Sequence, residues 1–523
     1  MSTVSVVGLG AVGWAVVHGL SRHYTCTGFD IDDDYDWDSV VRSDIVFVCV
    51  PTPPTAEGRL DCSAVRDVLS RLSKDAYGGP VVIKSTIGVG FMDKAVAEFP
   101  GLRLVYMPEF LRERSRYTWF LHPDRLVLSG HAEDIGETLR YFTWATGAAV
   151  IRTSHRSAEV AKLAHNAFIA TKVSFTNEIE QVSRELGADP YEVMEVVASD
   201  RRVLSDAHLR PGLGPYGGKC VPKDTEELVV AGSPHTRLLS HIVSTRKLDV
   251  RPSQPAVDVK IGVIIPTKNR AEKLSRALAS VATQVRLPDE VIVVSDSRGE
   301  QDRLTHEVIA GFEGKIPIHE VRNDRASNSS GAVNTGLSVL QSSQWSPTGT
   351  YVALLDDDDW WNRHYLDNVA TYAMEVEADW VISGLIRHET RDRGVPQSIP
   401  SQLSVGDFLI SNPNVQGSNL FVRLSRLSEA GGFDETLPST TDRDVCIRLL
   451  KLPGIRYEVL RNHLVHHDAS PDPSRLSAPG SQQKRAGLTA FYRKYSGEMS
   501  PDQREAFCER ARRLFSVEIS TEA

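Results

Sequence analysis

Short, mostly apolar runs alternate with amphipathic stretches through the first 150 residues. Residues 5–7, 25–29, 45–50, 81–84 and 102–106 are too short for helices and predict buried strands. Between them, residues 11–21 and 62–73 repeat apolar positions at helical spacing. Such alternation predicts a parallel sheet with right-handed crossovers. A long helical pattern then runs over 156–186, and helical character continues to 247. Residues 249–257 are proline-rich and polar, which predicts a linker. From residue 259 the alternation starts afresh, with a strand over 261–266, a helix over 272–283 and a strand over 290–295. A new first strand after a linker predicts a second α/β domain. The expected divisions are therefore 1–150, a helical domain over 151–248, a linker over 249–258, an α/β domain over 259–480, and a charged helical extension over 481–523.

Composition narrows the classes without choosing among them. At 523 residues the chain has room for about three or four domains. Its 41 % hydrophobic and 24 % charged residues exclude a disordered chain, a collagen and a small disulfide scaffold. A net charge of −9 argues against a nucleic-acid binder. No window offers the ~18 uncharged apolar residues of a membrane span. Met1–Gly8 has no basic residue ahead of its apolar run, so it reads as a first strand and not as a signal peptide. Cys26, Cys49, Cys62, Cys220, Cys446 and Cys508 form no CxxC pair, which disfavours structural zinc and disulfides and fits a reducing cytoplasm.

Gly8-Leu9-Gly10-Ala11-Val12-Gly13 follows the first strand and opens a helix. Glycines there permit a tight turn and close approach of a pyrophosphate, which the free N–H groups of the helix start would bind. Asp30 ends the next strand about 20 residues on, where a carboxylate bonds ribose hydroxyls of NAD and repels the extra phosphate of NADP. Further motifs follow: Val50-Pro51-Thr52-Pro53, Lys84-Ser85-Thr86, Met107-Pro108-Glu109-Phe110-Leu111-Arg112-Glu113, Glu159 through Phe168, and Pro211 through Asp224. In this order they resemble the UDP-glucose/GDP-mannose 6-dehydrogenase family, over residues 1–247.

The resemblance implies a four-electron oxidation of a sugar CH2OH to a carboxylate, with two NAD reduced. A thiolate would hold the aldehyde as a thiohemiacetal and then as a thioester. It implies Cys220 as nucleophile, Lys162 at the oxyanions, Asn166 positioning the sugar, and Glu109, Asp224 and Thr86 handling water and protons. Gly8, Gly10, Val12, Gly13, Asp30, Pro51, Thr52 and Thr86 are the expected cofactor contacts. Family members have a longer segment where this chain has the short acidic stretch 32–38, and a third domain gripping the nucleotide where this chain has its linker.

In the second half, a strand over 351–355 runs into Asp356-Asp357-Asp358-Asp359-Trp360-Trp361. Four carboxylates at a strand end call for a cation, and hard oxygen ligands favour Mg2+ or Mn2+ with a diphosphate completing the shell. With Val263 through Arg270, Val293 through Ser297, Ser330 through Gly336, Gly431-Gly432-Phe433-Asp434-Glu435 and Thr441 through Leu449, this resembles an inverting family-2 glycosyltransferase of the GT-A fold. The resemblance implies Asp442 as the base acting on the acceptor, with Asp358, Asp356 and the late histidine His467 at the metal. His466 stands as a close alternative. Pro266, Thr267, Asn269, Asp296, Asn334, Asp356 and Asp357 are the expected nucleotide-sugar contacts.

The expected molecule is thus an α/β protein with a Rossmann-type NAD-binding domain, a helical central domain and a GT-A domain. It would be a cytoplasmic bifunctional enzyme using NAD and Mn2+ or Mg2+, a UDP-sugar donor and a soluble acceptor: a small molecule, a nucleoside or a peptide. Neither nucleic acid nor membrane is expected as a partner. The helix over 156–186 resembles the family's dimer core, which implies a homodimer. The alternatives are a glycosyltransferase whose first half is a degenerate dimerisation scaffold, or one carrying an NAD-sensing module.

Overall fold

The apolar runs of the first half form the interior of a seven-stranded sheet. Its strands are β1 (Thr3–Val7), β2 (Thr25–Phe29), β3 (Ile45–Val48), β4 (Pro80–Ile83), β5 (Arg103–Tyr106), β6 (Arg125–Gly130) and β7 (Ala149–Arg152), in the spatial order 2-1-3-4-5-6-7. The computed structural model describes residues 2–31, 36–112, 115–203, 205, 207–248, 259–390, 393–470 and 481–519. The expected linker over 249–258, and residues 32–35 of the acidic stretch, lie outside the described residues.

Val4, Val6, Ile45, Val46, Phe47, Val81 and Val82 are fully buried because helices cover both faces of the parallel strands. The order reverses between β1 and β3, so the crevice at their carboxyl ends is where such a sheet binds a ligand. One junction differs from the all-parallel expectation: β5 and β6 pair antiparallel, joined by the short helix Arg116–Leu121. The sheet ends at Arg152, after which the helix His155–Glu185 runs for 31 residues.

Buried carboxylates tie the helical part to the sheet. Glu159 is 0 % exposed and accepts hydrogen bonds from the backbone of Gly90 and Met92. Glu227, on the helix Val221–Ala231, accepts from Leu60 N and from Arg59. Further along the long helix, Asn177 donates to Gly214 O and Glu180 accepts from Gly212 N. The glycine-rich loop before Cys220 is thereby fastened to the same helix that carries Lys162 and Asn166.

Residues 1–258 and 259–523 are two compact units. The second is built on β8 (Lys260–Thr267), β9 (Glu290–Ser295), β10 (Ile318–Arg322), β11 (Thr350–Leu354), β12 (Trp360–Trp361), β13 (Trp380–Thr390), β14 (Arg393–Gln397), β15 (Leu420–Arg423) and β16 (Tyr457–Asp468). The sheet order is 10-9-8-11-15-13-16-12, with β14 paired to β13. The strands from β10 to β11 are parallel, while β15 runs antiparallel to both β11 and β13.

The last stretch of the chain, unread in the sequence, belongs to this core. Leu488, Phe491, Tyr492 and Tyr495 of the helix Gln482–Tyr495 and Phe507 and Ala511 of the helix Pro501–Phe515 pack against Phe408, Val445 and Leu449. Apolar residues three and four apart give each helix one stripe to bury. No helix among the described residues is long and apolar enough to cross a membrane.

Candidate functional sites

The glycine turn of the first unit is shaped as a phosphate cradle. Gly8 lies at φ +93°, and a Cβ there would meet Cys49 C and Val50 N at 2.7 Å. A Cβ on Gly13 would lie 1.9 Å from Gly8 O, so this position must also be glycine. Gly10 faces open space and caps the helix Ala11–Leu20, whose first N–H groups receive no side-chain cap. Val12 is half-buried on that first turn. Asp30, at the end of β2, accepts a hydrogen bond from Leu9 N at 2.6 Å, which holds its carboxylate against the turn. Thr52 is buried and donates to Thr86 O at 2.7 Å, while Pro51 is exposed beside it. An open glycine, an uncapped helix start and an acid at the neighbouring strand end fit NAD.

Beyond this cradle the expected chemistry-bearing residues meet. Asn166 donates to Asp224 Oδ2 at 2.6 Å, and Lys223 pairs with Asp224 Oδ1 at 2.8 Å. Lys162 lies one helical turn before Asn166 on the same face. Burial pushes its pKa down, the negative charges of Asp224, Cys220 and Glu109 push it back up, and Lys223 opposes them. Cys220 is exposed at the cap of the helix Val221–Ala231. Among the other cysteines, burial raises Cys49 and Cys26 to about 12. Glu109 is held by Lys84 in an ion pair of 2.7 Å, and Lys84 is itself buried. Sequence reading passed over Lys84, Lys223 and Glu227. Lys84 and Lys223 stood inside quoted motifs, but no spacing rule assigns them partners.

In the second unit the four aspartates after β11 point to different partners. Thr267 donates to Asp357 Oδ2 at 2.8 Å. Arg270 bridges Asp357 and Asp358, at 3.1 and 3.2 Å. Asp359 is buried between Ser418 Oγ, at 2.7 Å, and His467 Nδ1, at 3.1 Å. Burial raises the Asp359 pKa, but His467, Ser418 and the Asp468 N–H outweigh it and the net shift is downward. Asp356 goes the other way: burial and the charges of Asp359, Asp442, Asp358 and Asp357 push it far above the carboxylate range. Asp442, on the first turn of the helix Thr441–Leu450, faces Asp356 across Gly417, whose Cβ would lie 3.7 Å from an oxygen of each. Burial pushes Asp442 up to about 6, against the lowering charges of Lys484 and His467.

His467 Nδ1 faces Asp359, at 3.1 and 3.3 Å from its two carboxylate oxygens. Among the described residues, no three His, Cys, Asp or Glu side chains are arranged to hold a metal. The alternative, His466, is turned to His388, at 2.9 Å, and stacks on Trp360. The excess negative charge around Asp356 still fits a divalent cation, with hard oxygens from Asp356 and Asp358 and the rest of its shell from outside the protein. Asn334, another expected contact, donates to Phe433 O and Glu435 and accepts from Phe433 N, and so holds the turn at Gly432 in place.

Three other expected contacts lie together at the ends of β8 and β9. Pro266 is half-buried in β8. Asn269, at φ +57°, accepts from Arg298 N, and its own N–H bonds Ser297 Oγ at 2.9 Å. Asp296 accepts from Asn323 and Ser327. Ser418, unmarked by any motif, links Asp359 to the Asp356 N–H.

Comparison with known proteins divides the chain in the same way. The model of the UDP-glucose/GDP-mannose dehydrogenase family NAD binding domain matches residues 34–142, and that of the family's central domain matches 156–247. The model of glycosyl transferase family 2 matches 262–446. UDP-glucose 6-dehydrogenase YwqF of Bacillus subtilis (strain 168) is 35 % identical over 224 residues, 41 % of this chain and 50 % of that protein. The chain spans about half the length of the curated relatives it matches. A solved UDP-glucose dehydrogenase from the hyperthermophilic archaeon Pyrobaculum islandicum aligns at 22 % identity and a TM-score of 0.43, covering 68 % of this chain and 90 % of that one. S. aureus TarS 1-349 in complex with UDP-GlcNAc aligns at 20 % identity and a TM-score of 0.37, covering 50 % and 73 %. The chain therefore carries the NAD-binding and central domains of the UDP-glucose/GDP-mannose dehydrogenase family, followed by a family-2 glycosyl transferase domain.

Proposed function

We propose that the chain is a bifunctional enzyme, in which the first unit oxidises the C6 alcohol of a nucleotide sugar to a carboxylate and the second transfers a sugar from UDP to a soluble acceptor. The observation that carries the first half is the meeting of Asn166, Asp224, Lys223, Lys162 and Cys220 around one point. Packing gives no reason to bury the Lys162 ammonium and the Asp224 carboxylate close to an exposed thiol, since buried charges cost free energy that chemistry must justify.

The cradle of Gly8, Gly10 and Gly13 with Asp30 would hold NAD, which supplies the hydride acceptor. Cys220 attacks the C6 aldehyde, its sulfur forming the new bond while the carbonyl oxygen becomes an alkoxide. Lys162 donates a hydrogen bond to that oxygen. Asp224, fixed by Asn166 and Lys223, and Glu109, fixed by Lys84, take protons from the alcohol and from the hydrolytic water. Thr86 holds that water.

In the second unit Asp442 removes the acceptor proton as the acceptor attacks the anomeric carbon and the bond to UDP breaks on the opposite face. Asp358 and Asp356 would hold Mn2+ or Mg2+, which supplies positive charge to the departing diphosphate. The exposed Phe168, Phe175 and Val182, each seven residues on along the helix His155–Glu185, support a homodimer through that helix.

The test is NADH formation by the full chain with NAD and UDP-glucose, together with UDP release in Mn2+. About two NADH per sugar, with a UDP-linked acid by mass spectrometry, establishes the oxidation. UDP release without any NADH overturns oxidation of UDP-glucose, and leaves a first unit that oxidises only the glycosylated acceptor or serves as a scaffold.

A further inference from the structure

Among the described residues, three cations around the helix that opens at Thr441–Asp442 have no carboxylate at ion-pair distance. Arg443 follows Asp442 on the helix Thr441–Leu450 and is only 6 % exposed. Its guanidinium stacks on Phe491 at 4.2 Å and Phe507 at 5.4 Å, and donates to the carbonyls of Phe408 and Leu409. Lys484 is half-buried and sits over Phe515 at 4.4 Å. Arg510, also half-buried, is one turn after Phe507 on the helix Pro501–Phe515.

The neighbouring cations of this layer are paired: Lys494 with Asp434 and Asp444, Arg448 with Asp444, Lys451 with Glu498, Arg512 with Glu518. Among the described residues, Arg443, Lys484 and Arg510 have no carboxylate at ion-pair distance. Carbonyls solvate a guanidinium but do not neutralise it, and buried charge without a counter-charge is costly. Burial and mutual repulsion push Lys484 down to about 8 and Arg443 to about 9. The acid acting on Lys484 is Asp442.

We infer that Lys484 and Arg510, backed by Arg443, form a carboxylate-binding subsite at the transfer centre, filled by the C6 carboxylate of a uronosyl donor. This rests on reading the second unit as a UDP-sugar transferase with Asp442 as its base. The donor sugar must lie beside that base, and a C6 carboxylate is the anion that the first unit's chemistry would create. The transferase would then select the oxidised sugar over its precursor.

The test is UDP release by the full chain in Mn2+, with NAD omitted so that the first unit cannot act, from UDP-glucuronate and UDP-glucose in parallel. The expected result is a kcat/KM at least about tenfold higher for UDP-glucuronate, with the ratio falling toward one in Lys484→Gln and in Arg510→Gln and largely kept in Lys484→Arg. Equal use of the two donors by the unaltered chain overturns the inference. So does an equal loss on both donors in Lys484→Gln and Arg510→Gln, which is the result expected of a packing role or of an acid on the acceptor. No UDP release from either donor overturns the transferase reading itself, and the inference with it.

Discussion

Asn166 donates its side-chain amide to Asp224 Oδ2 at 2.6 Å, across 58 positions of sequence. The bond leaves Asp224 Oδ1 to Lys223 and joins the long helix to the helix that follows Cys220. Breaking it should disturb proton transfer more than folding. In Asn166→Ala, NADH formation from UDP-glucose should drop by about two orders of magnitude with little change in thermal midpoint. A midpoint shift that accounts for the lost activity would make the bond structural.

Cys220→Ser tests the covalent step. Without the sulfur, the second hydride transfer has no thiohemiacetal to start from, so NADH per sugar should fall from about two to at most about one. Stoichiometry measured spectrophotometrically decides this. An unchanged value removes Cys220 from the mechanism.

Lys84 and Glu109 make a stability prediction as well as a functional one. Lys84→Met leaves Glu109 without its partner at 2.7 Å, in a site where the lysine is nearly inaccessible. Loss of one member of a buried pair should cost about 3 kcal/mol, read as a lower urea midpoint for the first transition. Lys84→Met, Glu109→Gln together should recover part of it, because no charge is then stranded.

Asp442 sets a pH dependence. Burial holds its folded pKa near 6, above the ordinary carboxylate value, and the form that accepts a proton is the ionised one. Transfer should therefore rise as pH passes upward through about 6, level off above it, and be lost in Asp442→Asn by about two to four orders of magnitude. A profile flat between pH 5 and 7 would show that another group limits the rate, those two values being set about one unit either side of the folded pKa.

Phe168 and Phe175 test the assembly. Both are exposed on one face of a 31-residue helix. Phe168→Glu, Phe175→Glu should halve the mass seen by analytical ultracentrifugation, since two charges would be buried at the interface. If the unaltered chain already sediments as a monomer, the stripe has another role.

Much of this was legible in the linear chain, and particular residues show why. Gly8, Gly10, Gly13 and Asp30 lie within one strand–helix–strand unit, so their geometry follows from local backbone rules and the spacing suffices. The acidic run after β11 was legible for the same reason. The restart of strand–helix alternation near residue 259 needs only period and turn chemistry, and the two units divide there.

What the sequence did not determine were the choices made between distant residues. Asp359 faces His467 because β16 returns beside β12 and pairs Trp361 with Val465, which brings residue 467 to the buried aspartate. Asn334, in a motif that resembled a sugar contact, went to the turn at Phe433. Lys84 found Glu109, and the Lys484 ammonium came within reach of the Asp442 charge, although neither lysine carries a signal of its own. A local motif fixes which chemistry a residue can offer. Which partner receives it depends on long-range packing, where burial makes each unpaired charge expensive enough for one arrangement to win.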